Sequence, residues 1–183
     1  MNDGLVSREL LAACKKGDER AFNDLVRATH RRVYNLAYRL VGDRFDAEDV
    51  AQDAYLRMFR SLKGFREEAR FETWMYRIVT NSAFSLLRRR GRFGELLAGD
   101  EVDSPAPDRP AELAADRDEI SRSLATLPVG QRAVVVLKDI YGLSCREIGE
   151  ELGIEEGAVK VRLHRARKRL KETVAKDGES DEV

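Results

Sequence analysis

SCREIGEELGIEEGAVKVRLHRARKRLK, residues 144–171, decides how this chain folds at its C-terminal end. Ser144 and Glu147 have the S-x-x-E spacing of a capping box, so a helix opens at Cys145. It stops at Gly153, and the short stretch Ile154-Glu155-Glu156 leads into a second helix. On that helix Val159, Leu163, Ala166 and Leu170 fall at i, i+4, i+7 and i+11, one apolar stripe. Between Lys160 and Lys171 there are seven Lys/Arg and no acid. A helix with one packed side and one cationic side, preceded by a capped helix and a glycine turn, is a helix-turn-helix. In that motif the second helix enters the major groove. Lys160, Val161, His164, Arg165, Lys168 and Lys171 lie opposite the stripe. Arg and Lys suit guanine edges, and an apolar Val suits a thymine methyl. Arg162, Arg167 and Arg169 flank this face and are expected on phosphates.

Working outward, the rest of the chain also reads as helix. Its 183 residues are 43% hydrophobic and 36% charged, with only 7% aromatic, which favours small helical units with wide polar faces. The net charge is zero, but it is unevenly placed. Residues 1–95 carry 19 basic and 14 acidic groups, whereas residues 96–118 carry 2 basic and 7 acidic. Ser7 and Asp18 are expected to cap the first two helices, and Gly42 closes the second. Asp46 is expected to open a third helix reaching about Leu62, and a fourth spans about Phe71 to Arg90. Prolines 105, 107 and 110 among acids mark a linker at residues 92–112. The expected architecture is therefore all-α. Two small helical domains, residues 1–91 and 113–176, are joined by a flexible acidic linker, and the second is the helix-turn-helix. An acidic tail, residues 177–183, is expected to be disordered.

The N-terminal domain carries two further patterns. Phe65, Arg66, Arg70, Phe71, Trp74 and Tyr76 interleave aromatics with arginines, and Arg77, Asn81, Phe84 and Arg88 recur at helical spacing. Rings stack on unpaired bases and cations track phosphates, a combination suited to single-stranded DNA. Taken singly, Phe71 and Trp74 read more readily as core. The third helix begins with Asp46, Glu48, Asp49, Gln52 and Asp53, four acids in an otherwise basic half. Acids in a first turn are ordinary dipole stabilisers, but Asp53 lies beyond that benefit and suits a basic partner surface.

Other chemistry is not indicated. The two histidines, His30 and His164, have arginines beside them, and no Gly-rich phosphate loop or nucleophile motif occurs, so no enzyme activity is expected. Cys14 and Cys145 are far apart and form no metal-ligand cluster; neither cofactor nor metal is expected. No apolar run approaches a membrane span or signal peptide, so the expected location is the cytoplasm.

Four stretches together resemble the small two-domain, extracytoplasmic-function class of bacterial sigma factors. They are DAEDVAQDAYLR from Asp46, FETWMYRIVTN from Phe71 to Asn81, Leu127-Pro128, and GAVKVRLHRAR from Gly157 to Arg167. The resemblance implies a subunit that joins core RNA polymerase and directs it to promoter DNA. It implies that Asp46, Glu48, Asp49, Gln52 and Asp53 dock on the polymerase. Phe65, Arg66, Arg70, Trp74, Arg77, Asn81 and Arg88 would open and capture the −10 element. Lys160, Val161, Arg162, His164, Arg165 and Lys168 would read the −35 duplex. It also suggests an anti-sigma partner. The family often has Thr and Ser where this chain has Ala158 and Val161, so its detailed −35 contacts are expected to differ. The alternative is a helix-turn-helix regulator that binds DNA without joining the polymerase; it accounts for the second half of the chain but not for the acidic third helix.

Overall fold

The structure is a computed structural model that describes residues 6–66, 70–92, 94 and 119–180. Its contacts divide the chain into two units, Met1–Leu86 and Leu87–Val183. Among the described residues every regular element is helical.

The N-terminal unit holds α1 (Arg8–Lys15), α2 (Glu19–Val41), α3 (Arg44–Ser61), a 3₁₀ turn (Leu62–Gly64) and α4 (Phe71–Arg89) up to the division at Leu86, the last three residues of α4 falling just past it. The expected caps are present. Ser7 Oγ accepts from the Leu10 amide at 3.1 Å, and Asp18 Oδ1 accepts from the amides of Arg20 and Ala21. Gly42 closes α2 in the left-handed region at φ +74°, a conformation with little cost only for glycine. The third helix starts earlier than expected. Asp43, not Asp46, is its cap, accepting from the amides of Phe45 and Asp46. Both aspartates are allowed cap residues; the carboxylate directly after the Gly42 turn meets the first orphan amides and wins. The core is built from Leu25, Leu36, Leu40, Met58, Met75 and Phe84, all essentially inaccessible to solvent. Phe84 thus belongs to the packing rather than to an open stripe on α4.

The C-terminal unit contains α5 (Glu119–Ala125), α6 (Val129–Val135) with a π-helical extension Val136–Ile140, α7 (Cys145–Leu152) and α8 (Glu156–Ser180). Helices α5, α6 and α7 all pack on α8. The capping box is complete: Ser144 Oγ accepts from the Glu147 amide at 3.1 Å, and the Glu147 carboxylate accepts from the Ser144 amide at 2.9 Å. Gly153 closes α7 at φ +67°. Gly149 has a different constraint. A Cβ there would lie 2.7 Å from the backbone oxygen of Ile154, so the turn can fold back on α7 only over a bare Cα. At its far end α8 runs to Ser180, past the point where a disordered acidic tail was expected to begin. Residues 177–180 continue a helix already formed, and adding a residue to a formed helix costs far less than nucleating one. The linker sequence from residue 95 to 112 lies outside the described residues, as do residues 181–183.

The two cysteines differ in environment. Cys14 is buried, and loss of hydration, with Asp18 nearby, pushes its thiol pKa up; Cys145 is partly exposed at the start of α7. A thiolate-directed reagent at mildly alkaline pH is therefore expected to label Cys145 in the native protein. Cys14 should react only after denaturation, as peptide mapping would show; equal labelling of both would place Cys14 at the surface.

Candidate nucleic-acid interface

Helix α8 separates its two faces as the sequence pattern requires. Val159, Leu163 and Ala166 are buried, Leu170 is half-buried, and Lys160, Val161, His164, Arg165, Lys168 and Lys171 are exposed. The open face begins in the first turns of the helix, where side chains reach base edges in a groove. Lys160 and Arg167 of α8 have carboxylate partners within the fold. Lys160 Nζ lies 2.6 Å from Glu156 Oε1, one turn back. The hydrogen bond from Lys160 holds the Glu156 carboxyl below the usual carboxylate range, and the same bond raises the Lys160 pKa. The pair therefore persists through neutral pH and is lost only as acid protonates Glu156 below its ordinary pKa. Arg167 is held bidentately by Asp139, with Nε 3.0 Å from Oδ2 and Nη2 2.5 Å from Oδ1.

Arg162 corrects the sequence reading. It is only 7% exposed and lies on the packed side of α8, not among the duplex contacts. It falls at i+3 from Val159, so the helical period turns it toward α8's neighbours, and its long apolar stem can be buried there. Arg167, expected on a phosphate, is instead a tie between α8 and the π-helical segment.

In the N-terminal unit, Phe65, Phe71 and Trp74 form one aromatic cluster, with ring centroids 5.0 to 6.0 Å apart. Phe65 and Phe71 are buried, whereas Trp74 is partly exposed. Lys15 Nζ sits 5.2 Å from the centre of the Phe65 ring, bracing the cluster from α1. The cluster is thus core on its inner side and available only at the Trp74 edge. Arg66, Arg70, Asn81 and Arg88 are exposed, and Arg77 is half-buried. An aromatic edge bordered by cations is retained, with Phe65 acting as its support rather than as an open ring.

Along α3, Glu48, Asp49 and Gln52 are exposed, and Asp53 binds Arg57 at 2.7 Å. Asp46 is buried and is not part of the open row. Sequence reasoning missed the apolar companions of this row. Phe45, Leu56 and Phe59 are 71%, 56% and 50% exposed. With Asp49 and Gln52 they fall at i, i+4, i+7, i+11 and i+14, one line along the helix. Leu56 and Phe59 also border a groove of about 520 Å³ shared with Phe22, Val26, Gln52 and Tyr55, and Phe22 meets Phe59 edge to face at 5.0 Å. The signal was in the spacing: large apolar residues in register with acids, off the core stripe, mark a contact surface.

Among the described residues no group of His, Cys, Asp and Glu is arranged to hold a metal ion, and no helix is long and apolar enough to cross a membrane.

Against this geometry, the comparisons with known proteins agree with one another. The sigma-70 region 2 model matches residues 25–93, and the sigma-70 region 4 model matches residues 117–170. The chain is 42% identical over 168 residues to the protein named ECF RNA polymerase sigma factor SigE from Mycolicibacterium smegmatis, covering 87% of this chain. That match spans 65% of the SigE length. It is 34% identical over 179 residues to ECF RNA polymerase sigma factor SigW from Bacillus subtilis, covering 91% of this chain and 96% of that one. Among solved structures, CnrH, in complex with the cytosolic domain of CnrY, aligns with a TM-score of 0.60 at 29% identity. That alignment covers 93% of this chain and 97% of CnrH. The sigma factor RpoE from Bartonella quintana, in complex with the anti-sigma factor NepR, gives 0.60 at 26% identity, covering 84% and 96%.

Proposed function

Since the chain belongs to the extracytoplasmic-function class of the sigma-70 family, we infer that it binds core RNA polymerase and directs transcription initiation to specific promoters. The C-terminal unit reads the −35 duplex through the open face of α8: Lys160, Val161, His164, Arg165 and Lys168. The N-terminal unit takes the opened −10 strand at the Trp74 edge, with Arg66, Arg70, Arg77, Asn81 and Arg88 following its backbone. Core polymerase docks on the exposed line of α3, where Glu48, Asp49 and Gln52 are joined by Leu56 and Phe59. The boundaries of the two functional parts follow residues 1–91 and 113–176. The protein works where the polymerase is, in the cytoplasm, and its activity is non-covalent: strand separation needs binding energy on the opened state, not a reacting side chain. An anti-sigma protein is a further partner, on the precedent of the complexes of CnrH and RpoE.

The observation that carries this reading is the exposed acidic and apolar line of α3 in the same chain as α8, whose open face is cationic. A regulator that only bound DNA would have no use for the first. Reconstitution with core enzyme and genomic promoter fragments tests it. Promoter-specific run-off transcripts that require the protein are expected; strong DNA binding by the protein alone without any transcript would favour the regulator.

Trp74→Ala separates the roles of the aromatic cluster. Stacking on one base is worth about 1–3 kcal/mol, so open-complex formation should fall about tenfold or more. Affinity for core enzyme should be nearly unchanged. Equal loss of both, with a lowered melting temperature, would make Trp74 a packing residue only.

A further inference from the structure

Among the described side chains of α8, Val161 is the large apolar one that the fold leaves open, at 49% exposure. It contributes nothing to the packed stripe, which Val159, Leu163 and Ala166 already fill. It is β-branched, which a helix tolerates less well than the straight-chain residues around it. It stands in the second turn of α8, on the face shared with exposed Lys160, His164, Arg165 and Lys168. Ala158, three residues earlier and partly exposed, adds a methyl group to the same side.

We propose that Val161 and Ala158 form a methyl-reading strip, and that the upstream element this chain prefers contains a thymine whose C5-methyl group packs on Val161. The inference deepens the −35 role of α8 and rests on it. Its chemistry is restrictive. In the major groove thymine alone among the unmodified bases presents a methyl group. Cytosine offers an amine donor and the purines offer N7 acceptors at the corresponding edge, and a valine placed against these would strip water from them and return no hydrogen bond. The polar readers are displaced from this spot: Lys160 is drawn back toward Glu156, and His164 and Arg165 lie one turn farther along. The strip therefore discriminates by what it lacks, between a hydrogen-bonding start and a cationic continuation of the same face.

The test uses holoenzyme assembled from core polymerase and the full chain. A promoter library randomised across the upstream element gives the preferred sequence. Each thymine in it is then replaced singly by deoxyuridine, which removes the methyl group and leaves every hydrogen-bonding group in place. One replacement is expected to weaken promoter binding about three- to tenfold, the range for one or two well-packed methyl contacts. With Val161→Ala holoenzyme the same replacement should have almost no effect, and preference for thymine at that position should relax. Insensitivity to every deoxyuridine, or the same sensitivity in Val161→Ala, overturns the proposal while leaving the −35 role intact. Selection of no upstream element at all, with normal core binding, removes the −35 role and the proposal together.

Discussion

Gly149→Val is expected to unfold the C-terminal unit while leaving the N-terminal one intact. The new side chain would start 2.7 Å from the Ile154 oxygen, and that atom belongs to the turn backbone, which cannot swing aside as a side chain can. Overpacking a tight site costs about 1–3 kcal/mol, more when backbone must move, and a small helical unit has only a few kcal/mol to lose. The chain reports the two units separately. Its one tryptophan, Trp74, is in the N-terminal unit, whereas helical circular dichroism sums over both. In urea, the variant should lose part of its helical signal early or show it absent from the outset, with the Trp74 fluorescence midpoint unchanged. Transcription from promoters that depend on the −35 element should fall to background. A variant with wild-type circular dichroism and melting would show that the α7–α8 turn does not fold back over Gly149.

The second large effect is expected at the polymerase contact. Leu56→Glu combined with Phe59→Glu should lower affinity for core enzyme by about 2 kcal/mol or more, roughly thirtyfold, as expected when central apolar anchors of an interface are replaced. Both residues are at least half exposed, so the cost to folding stability is limited to about that of the Phe22–Phe59 ring contact, roughly 0.5–1.5 kcal/mol. Competition for core enzyme, measured beside the Trp74 unfolding midpoint, separates loss of docking from loss of fold. Wild-type affinity in the double variant would move the docking surface away from the α3 line.

Much of this molecule is legible in its sequence because helix ends are local. Ser7, Asp18, Gly42, the Ser144–Glu147 box and Gly153 act through atoms a few residues away, and each appears where the sequence puts it. The α8 stripe is legible for the same reason: a 3.6-residue period places Val159, Leu163 and Ala166 together without knowledge of their neighbours. Sequence and structure part where a residue's charge and its helical position point in different directions. As an arginine Arg162 is expected on a phosphate, although i+3 from Val159 is the packed side. Asp46 is in sequence one of an acidic row, but its position in the first turn of α3 turns it inward once Asp43 takes the cap. Phe45, Leu56 and Phe59 carry the opposite signal, apolar residues off the core stripe, and only their exposure in the fold separates a contact surface from ordinary packing. No local rule could supply the Arg167–Asp139 pair, which joins residues distant in sequence.

That pair, with its companions, bears on how binding responds to ionic strength. A cation that neutralises a phosphate releases condensed counterions, and each such contact steepens the fall of log K with log salt by about 0.9 on duplex DNA. Of the seven Lys/Arg between Lys160 and Lys171, Arg162 is buried, and Lys160 and Arg167 already have carboxylates as neighbours. For those two, meeting a phosphate means giving up a partner first, so little net ion release is gained. The slope for the −35 contact should therefore be much shallower than the formal charge of α8 implies, and promoter choice should survive salt that strips more loosely held basic helices from DNA.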